Sequence, residues 1–199
     1  SVVLQMGATR MSGLQGNVAI PKQSAAATAY WLSSETATIT ESQPTITQLT
    51  LSPKTVGAYT EVSRLLTLQS SPDAESLVMS DLARVVALAA DVAALRGTGA
   101  AGEPQGIVGT TGVGSVSGSS LGYAGILEFQ TDVAANNVIP ARGGYVTTPA
   151  VAALMMQEQR FSSTDTPLWV GNIWDGQMTG YRAMASNQMS SATMLFGDW

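Results

Sequence analysis

The stretch from residue 72 to residue 96 constrains the fold more than any other part of the chain. Ser71 is a suitable N-cap and Pro72 fits the first helical position. Arg96 would lie in the last turn, and Gly97 suits the left-handed position that ends many helices. The sequence therefore predicts a helix over 72–96, about 37 Å long at ~1.5 Å per residue. One apolar face recurs at steps of three and four and comprises Leu77, Val78, Leu82, Val85, Val86, Ala89, Val92 and Leu95.

The region from Gly16 to about Thr60 has a residue pattern typical of β-structure. Apolar and hydroxyl residues alternate over 47–51 and again over 56–62, and prolines punctuate the segment. We interpret these as strands of a long two-stranded ribbon whose middle lies at 33–36. A two-stranded ribbon is marginal in water by itself, so it is expected to fold back on its own domain or to lie on a neighbour.

Shorter elements follow the long helix. The sequence predicts a loop over 109–122, a helix from Tyr123 to about Ala135 and a strand over 145–147. Thr148 and Pro149 then begin a third helix that runs to about Arg160, with Val151, Leu154 and Met155 inward. After residue 161 the sequence predicts turns and short strands over 168–170, 184–185 and 194–196. The segment 194–199 resembles a strand with no later partner, so we expect the chain to be a piece of a longer protein.

Composition excludes several classes of site. The 199 residues contain no cysteine and no histidine, so neither a disulfide nor a Cys/His zinc site is possible. With two lysines and a net charge of −5, no basic patch for phosphate backbone is expected. Charged residues make up only 12%, which suits a subunit buried by copies of itself, or equally a robust secreted domain. Neither a membrane span nor a signal peptide is visible.

No motif predicts catalysis or a cofactor. Residues 97–102 match G-x-G-x-x-G, but a helix precedes the glycines, whereas the dinucleotide fingerprint requires a strand there. We interpret them as a helix end and a turn, and we expect no catalytic, cofactor-binding or metal-binding residues. The competing interpretation is an acidic carbohydrate-binding or hydrolase domain, which would use scattered carboxylates such as Asp175 and Asp198, with Trp169 and Trp174.

The ribbon carries the residues most suited to contact another molecule. These candidates are Lys22, Tyr30, Trp31 and Glu35. A large aromatic on a thin ribbon has little core to enter, so Trp31 either packs under the ribbon or anchors onto a neighbouring subunit.

The order of these features resembles the major capsid protein of tailed phages, with the Hong Kong 97-type fold. The resemblance spans roughly residues 13–199 and rests on several short pieces that follow one another in order. These pieces are 16–22, 29–31 with Glu35, 51–54, 61–66, 95–99, 103–107, 145–149, 167–169 and 195–198.

The resemblance implies an α+β fold with a long spine helix, an extended β-ribbon called the E-loop, and an axial domain. Residues 1–15 would be the remnant of an N-terminal region, and 16–62 the ribbon with its return strand. Residues 63–107 would form the peripheral domain with the spine helix, and 108–199 the axial domain with associated strands, truncated at its C-terminus.

The same resemblance implies a structural subunit of an icosahedral bacteriophage or prophage capsid that self-assembles into pentamers and hexamers around the genome. Its partners would be copies of itself, with scaffold, protease and portal proteins, and not a membrane or a specific nucleic-acid sequence. It would reside in the virion after assembly in the host bacterial cytoplasm. Lys22 would be either a solvated charge or a crosslink to a neighbour's asparagine. The alternative within the same fold is an encapsulin-type nanocompartment shell that holds enzyme cargo.

Overall fold

The computed structural model describes residues 1–32, 34–69, 74–119, 121–136, 138–163 and 166–199. The predicted helix start at Ser71 and Pro72 and one residue of the predicted ribbon middle, Ser33, lie outside these ranges. The chain forms two compact units, one of residues 1–10 with 55–199 and the other of residues 11–54.

The smaller unit is the predicted two-stranded ribbon. Strand β1, Val18–Ala25, pairs antiparallel with β2, Thr45–Leu51, with Val18 opposite Leu51. The prediction of a further strand over 56–62 was wrong, since residues 52–63 form neither strand nor helix. Alternation alone does not make a strand, because a strand also needs a hydrogen-bonding partner, and β2 is the strand that pairs with β1.

The larger unit is built on a five-stranded sheet with the order β4-β5-β6-β3-β7. Among the strands of the described ranges, β3 and β6 run parallel and the other neighbours antiparallel. The final strand, β7, pairs antiparallel with the earlier strand β3 along its whole length. The strands are β3, Gly143–Thr147; β4, Trp169–Gly171; β5, Asp175–Met178; β6, Tyr181–Ala185; and β7, Met194–Asp198.

Helices cover both faces of this sheet. On one face α4, Tyr123–Ala134, and α5, Pro149–Gln157, pack over Tyr145 and its neighbours. On the other face α1, Val2–Met6, and the end of α3, Ala74–Arg96, pack over Val146. Successive strand residues point to opposite faces, so Tyr145 and Val146 belong to different cores.

Helix α5 begins where the sequence predicts. The Thr148 hydroxyl accepts the backbone N–H of Val151, and Pro149 occupies the first turn. The helix ends at Gln157 and not at Arg160, because the chain then turns extended and the Arg160 N–H bonds to the carbonyl of Thr166. One side chain turns the other way from the prediction, since Leu154 is exposed, whereas Met155 is buried as predicted.

The predicted face of α3 is only partly buried. Val78 and Leu82 are half-buried and Leu95 is fully buried, whereas Leu77 is 70% exposed and Val85 47%. A short helix, α2, Arg64–Gln69, contacts α3. Within the described ranges, no helix combines the length and the apolar character that crossing a membrane requires.

The helix ends at Gly97, but not through the left-handed backbone conformation that was predicted there. Gly97 does not adopt a positive φ; the residues with a positive φ in the following turn are Gly99, Ala101 and Gly102. A Cβ at Gly97 would overlap the carbonyl oxygens of Ala93 and Pro104. Glycine is therefore required by close approach of the returning chain and not by backbone conformation.

Candidate functional site

The four ribbon candidates are all exposed on the smaller unit. Lys22 lies on β1 opposite Thr47, whereas Tyr30, Trp31 and Glu35 lie in the connection between the two strands. Trp31 is 100% exposed, so it does not pack under the ribbon within this chain. Anchoring on a neighbouring subunit, the other interpretation of this indole, stays a prediction.

The smaller unit exposes further apolar side chains. Leu32 and Ile39 in the same connection are exposed, as are Ile46 and Leu49 on β2. A ribbon that presents several large apolar side chains to water resembles a surface covered by a partner, because such patches are uncommon on monomers. Interfaces often use a tryptophan as an anchor, since it buries a large area with few rotatable bonds.

The larger unit presents a second group of exposed apolar side chains, which sequence analysis did not separate from the core. The helical period predicts a core-facing stripe but cannot distinguish burial within the chain from burial against another chain. These residues lie before α3 and along it: Val56, Tyr59, Leu65, Leu68, Leu77, Met79, Val85 and Leu88.

The buried carboxylate of the larger unit has a structural role. Asp91, 5% exposed, accepts the Ser1 hydroxyl at 2.6 Å and the Val2 backbone N–H at 3.1 Å, at the start of α1. Carboxylates are favoured at a helix N-terminus because the first N–H groups lack intrahelical partners.

Of the groups in the carbohydrate-binding or hydrolase interpretation, Trp169, Trp174 and Asp175 lie in the β4–β5 hairpin, whereas Asp198 ends β7. Asp175 forms an ion pair with Arg182 at 3.2 Å, and Asp198 accepts the backbone N–H of Arg142 at 2.6 Å. Trp169 is fully buried in the core, and its indole N–H donates to a backbone carbonyl. Each of these groups is engaged by its own local partner, and not by the others in a shared polar cleft.

Two depressions lie beside α4 and α5. A groove of about 940 Å³ runs between the 108–118 loop, α5 and the start of β7, and Glu158 is the one charged residue among its described lining. A smaller one, about 550 Å³, contains Asp132. General acid–base hydrolysis of a glycoside requires two carboxylates, and the described lining of each depression has one. In the part of the chain that the structure describes, no cluster of three or more acidic side chains could hold a metal ion.

The shifted pKa values have local structural causes. The backbone N–H of Thr98 at 3.0 Å and its hydroxyl at 2.8 Å hold the pKa of Glu103 below its usual range. Burial raises the pKa of Tyr145, whose hydroxyl contacts Gln130 and Thr179 in the core. These groups stabilise a turn and a core, and neither lines an open pocket.

The comparisons with known proteins agree with this geometry. The chain is 35% identical over 200 residues to the major capsid protein of Halomonas phage phiHAP-1, an alignment that covers 100% of this chain and 32% of that protein. The chain thus spans about a third of that relative's length.

Solved structures share the fold. The chain matches the capsid of the native GTA particle with a TM-score of 0.73 and that of the empty particle with 0.70, both computed with C5 symmetry. Each match has 17% identity and covers 98% of this chain and 72% of the other. The model of the phage capsid family matches residues 1–199. With that match over its whole length, the chain belongs to the phage capsid family.

Proposed function

We propose that this chain is a structural subunit of an icosahedral bacteriophage or prophage capsid, self-assembling into pentamers and hexamers that enclose the genome. The observation that carries the proposal is the fully exposed Trp31 in a chain whose entire length matches the capsid family. An indole in water without a core of its own is explained if a neighbouring subunit covers it.

The parts of the chain have distinct roles in this proposal. Residues 16–62 are the E-loop ribbon with its return segment, 63–107 the peripheral domain with α3 as the spine helix, and 108–199 the axial domain. Residues 1–15 belong to the end of an N-terminal region. Lys22, Tyr30, Trp31 and Glu35 are contact residues toward neighbouring subunits.

The role is geometric and not catalytic. Closed shells use many weak contacts that act together, so no single interface has to be strong. With a net charge of −5 the subunit encloses nucleic acid without a basic surface to bind it. Scaffold, protease and portal proteins are the further partners in this proposal, with assembly in the host bacterial cytoplasm before the subunit resides in the virion.

Replacing Trp31 tests the proposal. Trp31→Ala should leave the free energy of unfolding within about 0.5 kcal/mol of wild type, because an exposed side chain contributes little to the fold. Loss of a hot-spot indole should weaken self-association by at least roughly 30-fold, corresponding to about 2 kcal/mol. Sedimentation velocity over a concentration series measures the association, and urea unfolding measures the stability.

Two controls frame this experiment. Thr38→Ala changes another exposed residue of the same connection and should leave association unchanged. Trp169→Ala removes a buried indole and should cost about 3–5 kcal/mol of stability. Equal association of wild type and Trp31→Ala would contradict the contact role of Trp31, and a wild type that stays monomeric at every concentration would contradict the capsid role.

A further inference from the structure

Four exposed residues form a straight line along α3. Leu77, Asp81, Arg84 and Leu88 follow one another at steps of four, three and four. At 3.6 residues per turn they fall within about 60° of one another around the helix axis. Leu77 is 70% exposed and Leu88 39%, and both charged side chains are exposed between them. We call these four residues the α3 stripe.

The charges of the α3 stripe are unused inside the chain. No ion pair or side-chain hydrogen bond of Asp81 or Arg84 occurs within the described ranges. Val78 and Leu82, which the chain itself half-buries, lie about 90° and 130° around the axis from the centre of the stripe. Leu95, five turns after Leu77 on the same line, is fully buried, so this line of α3 is an exposed apolar and charged surface only over residues 77–88.

The order of side-chain types along the stripe is complementary to the same order read in the opposite direction. Read forward it is apolar, acidic, basic, apolar; read backward it is apolar, basic, acidic, apolar. Two such helices laid antiparallel about a point between residues 82 and 83 bring each acid opposite a base and each leucine opposite a leucine. A parallel arrangement would instead set Asp81 against Asp81, which opposes association.

We propose that the α3 stripe is an isologous two-fold interface that binds the α3 stripe of a second copy of this chain in antiparallel orientation. In this contact Leu77 packs on the partner's Leu88, and Asp81 pairs with the partner's Arg84, each contact occurring twice. Self-complementary patches of this kind are what a two-fold axis requires. Exposed Val85 lies about 70° around the axis from the centre of the stripe and extends the apolar area available to the contact.

The inference rests on the proposed shell function and adds to it. Pentamers and hexamers are rings held by head-to-tail contacts, and such rings need a further contact between them to close a shell. The α3 stripe supplies a two-fold contact of that kind, from a helix and not from the ribbon.

Charge reversal tests the pairing in the 199-residue chain. Asp81→Arg alone places two bases opposite each other in the two-fold contact, and Arg84→Asp alone places two acids opposite each other. Each single variant should self-associate at least about tenfold more weakly than wild type, a factor that corresponds to ~1.4 kcal/mol.

Mixing the two variants supplies the rescue. An equimolar mixture should recover association, because the stripe of the Asp81→Arg chain then carries two bases and that of the Arg84→Asp chain two acids. Both charged positions of one chain therefore meet opposite charges on the other. Glu128→Arg, an equal charge change at an exposed position of α4, should have no effect on association.

A crosslink identifies the register independently. The chain has no cysteine, so thiols introduced at Leu77 and Leu88 are unique. A mixture of Leu77→Cys and Leu88→Cys chains should give a crosslinked dimer with a short bismaleimide reagent. Either variant alone should give none, because like positions would lie about 16 Å apart along the axis at ~1.5 Å per residue.

The outcomes separate this inference from the shell function. The α3 pairing would be overturned if charge reversal left the association of shells or capsomers unchanged. It would also be overturned if the mixed cysteine variants failed to crosslink. Either result would leave the capsid role standing. Absence of any self-association of the wild type would overturn both.

Discussion

At the scale of single residues, the conformation of the turn that follows α3 depends on the lack of a side chain at Gly97. The chain returns so closely that Thr98 bridges to Gln105 and the Gly106 N–H donates to the Gly97 carbonyl. A side chain at either glycine would meet backbone atoms, which cannot move as a flexible side chain can. The end of the longest helix is therefore fixed by backbone packing.

Gly97→Ala should destabilise the chain by roughly 1–3 kcal/mol, the range for overpacking a filled site. Gly118→Ala is the matched control, because Gly118 lacks a positive φ and open space surrounds its Cβ position. Urea unfolding of both variants measures the difference. Equal stability of the two variants would show that the turn has room to relax.

Glu103 gives this turn a pH dependence. Its pKa in the folded chain lies below the unfolded value near 4.5, because Thr98 donates two hydrogen bonds to the carboxylate. The stabilisation is therefore present above the unfolded pKa and is lost as pH falls through the folded pKa. Wild type should be more stable than Glu103→Gln at neutral pH, and the difference should vanish in acid. A difference that is constant with pH would contradict this assignment.

At the scale of elements, α1 is held at both of its ends by groups of opposite charge. Asp91 accepts hydrogen bonds at its N-terminus, while the Arg182 guanidinium donates to the Gln5 carbonyl at 2.8 Å and Arg142 to the Gly7 carbonyl. This arrangement complements the helix dipole. A five-residue helix is marginal by itself, so these contacts and buried Met6 hold α1 on the sheet.

Asp91→Ala should cost roughly 1–3 kcal/mol, because the variant leaves the Ser1 hydroxyl and the Val2 N–H without their acceptor. Hydrogen exchange should accelerate in residues 2–6 more than in the sheet. Asp81→Ala, an exposed acid of the same helix, should change stability by less than about 0.5 kcal/mol when measured on dilute chains. Unchanged exchange in α1 would show that its apolar contacts alone suffice.

Elements with local signals could be predicted from the sequence, whereas those that depend on neighbours could not. Thr148 and Pro149 specify the start of α5 by themselves, and β2 alternates clearly. The strand β5, Asp175–Met178, was missed because its polar and glycine residues lack alternation; pairing with β4 and β6 on either side makes it a strand. Conversely, 56–62 alternates but has no strand partner among the described residues.

The same distinction applies to the candidate site. The sequence singles out Trp31, because an indole on a thin ribbon has little core to enter, but it does not decide between packing under the ribbon and anchoring on a neighbour. The α3 stripe could not, because an apolar period of 3.6 looks identical whether the chain itself or a second copy covers it. Leu77 was assigned to the core face for this reason, and only its 70% exposure distinguishes it from fully buried Leu95.

At the scale of the whole molecule, this chain has more apolar surface than its own core can cover. Part of that surface lies on the ribbon unit around Trp31 and part lies on the larger unit along α3. Low charge and exposed leucines would favour aggregation in a free monomer. In the proposed shell, copies of the chain would surround each subunit and cover these surfaces.

The decisive experiment is electron microscopy of the full-length gene product expressed alone, with mass photometry alongside. Closed shells, or rings of five and six subunits, are expected, and nucleic acid inside shells would favour a phage capsid over a nanocompartment with protein cargo. A compact monomer at every concentration, with no rings or particles, would contradict the claim that these exposed surfaces exist to build a shell.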